Sequence, residues 1–302
     1  MKLPQLLIFT VRALSLPAFL AVTATAALDT AKIDEITGLK GTLNEAEGVF
    51  KVSKPRDDVK VSVDGWQMPP FMGLTSWAAF MAGKEKDAMV MGDLVLFQDE
   101  VNAVMSTAFA NGLEVTALHN HFFYDEPKVY FMHIGGEGTV EQLAKGVRAA
   151  FDKVKEIRAA QPELAKSFGK LLDAPKSAIT GAAIDALLGT KGQAKDGMFK
   201  VVIGRQATMP CGCEVGKEMG VNTWAAFAGT DDNALVDGDF VVLESELQPV
   251  LRSLRKDGIN IVAIHNHMTM ENPRYLFLHY WGRGAASTLA QAVKNALQQT
   301  KK

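Results

Sequence analysis

Residues Leu113–Gly138, LEVTALHNHFFYDEPKVYFMHIGGEG, recur as Ile259–Gly284, INIVAIHNHMTMENPRYLFLHYWGRG. Each copy reads as a strand, His-Asn-His, a short polar connection with a proline, a return strand with a histidine, and glycines. Ala117, His119, Asn120, His121, Pro127, Phe131, His133, Gly136 and Gly138 all have identical counterparts, and all six histidines of the chain lie here, three per copy.

Side chains alternate along a strand, so His119 and His121 share a face, as do His265 and His267. The third histidine, His133 or His279, returns on the neighbouring strand. In a regular hairpin with His121 opposite Lys128, His133 falls opposite Thr116, on the wrong side. A one-residue register change or a bulge brings it to the side of the pair. Register therefore decides whether each pair becomes a trio.

Three imidazoles that converge and leave one position open for water are the ligand set of catalytic zinc sites, and they also suit copper, manganese and non-haem iron. His119, His121, His133, His265, His267 and His279 are the expected ligands of a divalent metal, zinc or copper. Asp125 aligns with Glu271, and an acid kept there is expected to act catalytically, as general base or fourth ligand. One use of such a site is metal-dependent hydrolysis; another is metal carriage. The alternative is a non-enzymatic module that binds a small molecule, peptide or glycan, with structural histidines, because a duplicated gene copies structural residues as faithfully as functional ones.

Beyond the hairpins, Ser76-Trp77-Ala78-Ala79-Phe80 matches Thr223-Trp224-Ala225-Ala226-Phe227, and Gly92-Asp93-Leu94-Val95-Leu96 matches Gly238-Asp239-Phe240-Val241-Val242. Internal similarity on this scale marks duplicated units. Residues 30–158 and 181–299 are expected to form two repeats, joined by a partly helical linker over 159–180. Period-two segments such as Val59–Val63 read as strands, and the Trp-Ala-Ala-Phe and Gly-Asp segments as a hairpin. Asp99 and Ser245 are N-cap types, each leading into a helix with an apolar stripe that Asn111-Gly112 and Asp257-Gly258 stop. Glu100 and Glu246 then fall in a first helical turn, and Gly92-Asp93 and Gly238-Asp239 read as tight turns into strands, with Asp93 and Asp239 as ligands or bases the alternative. The fold class is α+β: two duplicated domains, each an antiparallel sheet with helices packed on it.

His-Asn-His, the acidic-Pro hairpin and Phe-x-His-x-x-Gly-x-Gly, preceded by Trp-Ala-Ala-Phe and Gly-Asp, resemble the LppY/LpqO family of exported bacterial proteins. The resemblance covers nearly the whole chain, twice. It implies export and a duplicated domain and supplies no activity.

Residues 1–26 carry Lys2 and Arg12 as their only charges, an apolar run from Ala13 to Val22, and Ala24-Thr25-Ala26. They read as a signal peptide cut after Ala26, giving a periplasmic or secreted protein with no membrane contact after cleavage. No cysteine precedes Cys211, so a lipid-anchored form is not expected. Net charge is -2 without a Lys/Arg block, which argues against nucleic acid as a partner. There is no P-loop, GxSxG or HExxH signature. Cys211 and Cys213 are either a soft-metal pair or plain thiols; a disulfide across one residue would close a strained ring.

Overall fold

The computed structural model describes residues 28–168 and 176–300; the expected signal peptide lies outside them. The first repeat runs α1 (Thr30–Thr37), β1 (Thr42–Asn44), β2 (Val49–Pro55), β3 (Thr75–Ala82), β4 (Ala88–Phe97), α2 (Val101–Ala110), β5 (Glu114–His119), β6 (Val129–Gly138) and α3 (Val140–Ala160). The second repeats the order: α4 (Gly181–Leu188), β7 (Gln193–Lys195), β8 (Met198–Gly204), β9 (Asn222–Thr230), β10 (Asn233–Leu243), α5 (Glu244–Lys256), β11 (Asn260–His265), β12 (Tyr275–Gly284) and α6 (Ala286–Leu297).

All twelve strands join one antiparallel sheet in the order β1-β2-β3-β4-β6-β5-β11-β12-β10-β9-β8-β7. The order is palindromic, and the two repeats meet where β5 pairs with β11, Leu118 facing Ile264. The mixed α+β duplication is thus as expected, but the two sheets are one.

Helices cover one face. Ala78, Phe80, Val90, Leu94, Leu96, Leu118, Met132 and Ile134 of the first repeat's strands are buried in one cluster with Val104, Met105, Val147 and Phe151 of its helices, and that cluster continues into the second repeat. Alternation then sends Trp77, Asp93, His119, Phe131 and His133 to the other face. Around the loops of that face lie two smaller apolar clusters. One gathers Val61, Met68, Leu74, Val95, Phe97, Val129 and Phe131; the other gathers Ala207, Val221, Val241, Tyr275 and Phe277.

Where strands and helices begin differs from expectation in three places. The main-sheet strand is β2, and only Ser62–Val63 of the alternating Val59–Val63 segment is extended, in a small sheet with Trp66–Gln67 and Asp125–Glu126. Asp99 is not an N-cap: its carboxylate takes Arg158 and the Ala165 N–H, fastening the connection between the repeats. Ser245 lies inside α5, which starts at Glu244. Described residues 161–168 carry no helix, so the linker's helical character is not found there, and its remainder to 175 lies outside the description.

Glu100 sits at the start of α2 as a buried ion-pair centre rather than a dipole partner. Its carboxylate accepts Arg56 Nη1 at 2.7 Å and Nη2 at 3.0 Å and the Phe97 N–H at 2.9 Å, and Arg158 Nε lies 2.9 Å away. Glu246 repeats the pairing with Arg205.

At the seam, each repeat lends a side-chain amide to the other. Asn102 Nδ2 donates to the Ile261 carbonyl and its Oδ1 accepts the Ile261 N–H, at 3.1 and 2.7 Å. Gln248 does the same to Val115, at 2.7 and 3.1 Å. Both recipients sit beside an irregularity in their own ladder, where backbone groups would otherwise lack partners.

Candidate metal centre

The hairpin register resolves the question of the third histidine. In β5 and β6, His119 faces Phe131 and Ala117 faces His133, and the ladder slips between Val115 and Ala117. The second copy is the same, with His265 facing Phe277, Ala263 facing His279, and the slip between Ile261 and Ala263. The register thus differs by one residue from the regular hairpin and is followed by a bulge. All three histidine side chains of each copy reach the helix-free face.

In the first copy, His119 Nε2 and His133 Nε2 lie 3.1 Å apart. The His121 ring is 5.2 Å from His119 and stacks on Phe131 at 3.4 Å, almost parallel. In the second, the His265 ring lies 4.6 Å from His279 and 5.1 Å from His267, which stacks on Phe277 at 3.6 Å. The phenylalanine on the return strand is the shelf that orients the outer histidine of each copy.

A carboxylate enters each cluster from the next strand. Asp93 faces His133 across β4 and β6, and Asp239 faces His279 across β10 and β12. Asp239 Oδ2 is 3.1 Å from His267 Nε2 and 4.0 Å from His265 Nε2. One ligand atom each from Asp239, His265 and His267 lie within 4.8 Å of one another. Gly92-Asp93 and Gly238-Asp239 are therefore mid-strand and not turns. The glycine has a packing reason: a Cβ at Gly238 would stand 2.1 Å from the Tyr280 ring, whose hydroxyl crosses to donate to the Trp224 carbonyl at 2.9 Å.

The electrostatics favour a cation between these groups. His267 Nδ1 lies 3.2 Å from the Gly220 carbonyl, which can only accept; in the tautomer with the proton on Nδ1, Nε2 presents its lone pair to Asp239. Two acceptors 3.1 Å apart repel unless a proton or metal lies between them. Asp239 Oδ1, Asp93 Oδ1 and His265 Nδ1 are buried without hydrogen-bond partners. Burial, aided by the neighbouring His279 and His267, pushes the His265 imidazole down to about 4. Burial likewise lowers His121 and raises Asp239. Neutral imidazoles are what a metal requires.

These shifts carry a pH signature. His265 titrates lower in the fold than in the unfolded chain, so the unfolded chain takes up its proton first as pH falls below about 6.5. Stability linked to His265 is complete above that pH and is lost towards pH 4; raised Asp239 acts in the opposite sense. The melting temperature of metal-free protein is expected to fall over this window, and His265→Gln to flatten the fall, as followed by calorimetry across pH.

Asp125 and Glu271, the expected catalytic acids, hold the loop. Asp125 accepts the Val129 N–H at 2.7 Å and Lys128 Nζ at 2.9 Å; Glu271 accepts the Tyr275 N–H at 2.9 Å. Among the described residues, the carboxylate within 4.0 Å of an imidazole nitrogen is Asp239. Cys211 and Cys213 are free and exposed and neither thiol joins the cluster. Their turn is tied to the histidine loop by paired backbone bonds between Thr208 and Asn272.

With this geometry in view, comparison with known proteins places the chain. Residues 31–153 and 182–299 match the family described as Domain of Unknown Function (DUF1259). The chain belongs to the DUF1259 family. Each match spans one repeat and contains one histidine hairpin with its aspartate, so both clusters lie within DUF1259 units. No curated protein matches this DUF1259 chain. Among solved structures it is similar to a trimeric bacterial microcompartment shell protein, PduB, at 12% identity over 85% of this chain and 89% of that one, with a TM-score of 0.23; a likeness that low carries no argument. No described helix is long and apolar enough to cross a membrane.

Proposed function

We propose that each DUF1259 repeat binds a divalent transition-metal ion on the helix-free face of the sheet. In the second repeat the ligands are Asp239, His265 and His267 with His279 beside them; in the first, His119, His121 and His133 with Asp93. The observation that carries this reading is the mutual approach of Asp239, His265 and His267 within 4.8 Å, Asp239 reaching both imidazoles through Oδ2 while its Oδ1 is buried without a partner. Imidazole with carboxylate suits zinc first, and copper, iron or manganese as well. His267 is exposed, which leaves a side open to water and substrate. Zinc held there would lower the pKa of a coordinated water to about 7, the chemistry that hydrolysis uses. The apolar N-terminal run and the resemblance to the LppY/LpqO proteins support a role outside the cytoplasm.

Metal content of purified protein, measured by plasma mass spectrometry after zinc loading, tests the reading. A His265→Ala/His267→Ala variant is expected to lose one equivalent, and adding His119→Ala/His121→Ala the other. Unchanged content across the series, with a melting shift caused by an organic ligand instead, would favour a binding module with structural histidines.

A further inference from the structure

The sheet face that carries the second cluster continues past His267 into a cavity of about 480 Å3, a size that suits a small molecule. Trp224, which faces Asp239 across the ladder, forms part of the floor, so cavity and cluster adjoin. Lys191, Lys200 and Lys217 line it against one carboxylate, Glu218. Lys191 is paired with Asp185 and Lys217 with Glu218, each at 3.2 Å; both ammonium groups are exposed, and such pairs open readily for a better anion. The Lys200 ammonium lies 4.1 Å over the Trp224 ring and is in none of the ion pairs among the described residues.

The first repeat differs at the rim. Pro70 and Phe71 stand where the second repeat has Lys217 and Glu218, and Phe123 where it has Thr269. Phe71 is 98% exposed and Phe123 86%. The first repeat keeps counterparts of Lys191 and Lys200, with Lys40 paired with Asp34 at 3.0 Å and Lys51 4.2 Å over the Trp77 ring, so the two rims differ at Lys217, which apolar residues replace in the first repeat.

We propose that the cavity beside His267 is a subsite for an oxyanion, phosphate or carboxylate, on a ligand whose other end reaches the metal centre. That last clause rests on the metal reading; the binding of the anion does not. Lysine is a compact point charge that suits phosphate without demanding bidentate geometry, and Lys200 and Lys217 approach from different elements, β8 and the turn before β9. The subsite makes the second repeat selective for anionic ligands, and the first has no equivalent of Lys217.

The test uses the full chain, once stripped of metal by chelation and once zinc-loaded. Inorganic phosphate, and separately acetate, are titrated by calorimetry at low ionic strength. Phosphate is expected to bind both forms, and Lys200→Gln/Lys217→Gln to weaken it by about tenfold or more with zinc content unchanged. Lys51→Gln, at the matching place in the first repeat, should have no effect. The ratio of phosphate to acetate affinity identifies which oxyanion the subsite prefers. Equal phosphate affinity in the double variant and wild type, or no binding of either anion to wild type, overturns the subsite. Phosphate binding that survives in a protein found to take up no zinc would instead sink the metal reading and leave the subsite standing.

Discussion

Asp239→Asn is expected to lose zinc affinity by at least about a hundredfold, since even groups that merely orient ligands cost about 10–100-fold, while its metal-free form melts at or above the wild-type temperature. The two effects have one cause. Asp239 is 2% exposed, one of its oxygens has no partner, and burial raises its pKa. A charge held there without compensation costs stability, and an amide of the same shape relieves that cost. Zinc at about a thousandfold excess over its Kd should raise wild-type stability by about 4 kcal/mol, and the variant should show no comparable rise. Calorimetry with and without zinc reads both. A metal-free variant that melts well below wild type would mean that Asp239 serves the fold, through His267, and not an ion.

The largest loss of stability is expected from Glu100→Ala, about 3–5 kcal/mol, because it removes the one carboxylate that two buried guanidinium groups share, leaving Arg56 only the half-exposed Asp58 and Arg158 only Asp99. Glu100 is fully buried, Arg56 is 4% exposed and Arg158 9%, and both guanidinium groups close on the one carboxylate. Glu246→Ala should cost less. Its partner Arg205 keeps 19% of its side chain in water and can rehydrate when the carboxylate is removed. Urea midpoints of the two variants give the comparison, with equal losses contradicting the argument. Neither residue touches the metal cluster, so zinc content per folded molecule should be unchanged in both.

Much of this fold is legible in the chain itself. The internal identities mark the repeats, and the strand period alone puts His119 and His121 on one face. The place of His133 is not legible, because the one-residue register of the hairpin that sets it opposite Ala117 leaves no local composition signal; the ladder slips only beyond that pair, where Gln248 of the far repeat takes up Val115. Asp239 is legible only as the lesser alternative to a turn, for a different reason. A Gly-Asp pair resembles a turn, and the glycine's true cause, the Tyr280 ring lying across it, is a contact between strands distant in sequence. The available signal is a charge in a largely apolar strand, on the same alternation as the histidines: Asp93 alone in the first copy, Asp239 with Asp237 two residues before it in the second. Asp125 and Glu271 bond their own loop backbone, as loop acids commonly do, and Glu271 Oε2 is buried without a partner.

The seam has a consequence for symmetry. Because β5 pairs with β11 and each repeat offers an amide to the same position in the other, the contact is self-complementary, as between protomers related by a twofold axis. Either half taken alone would end in a free strand edge with an orphaned backbone pair beside it, the kind of margin that recruits another chain. Fusing two such halves closes that margin within one molecule. It also frees the halves to diverge around a shared centre, which is how Lys217 at one rim and exposed Phe71 and Phe123 at the other can coexist on a single continuous sheet.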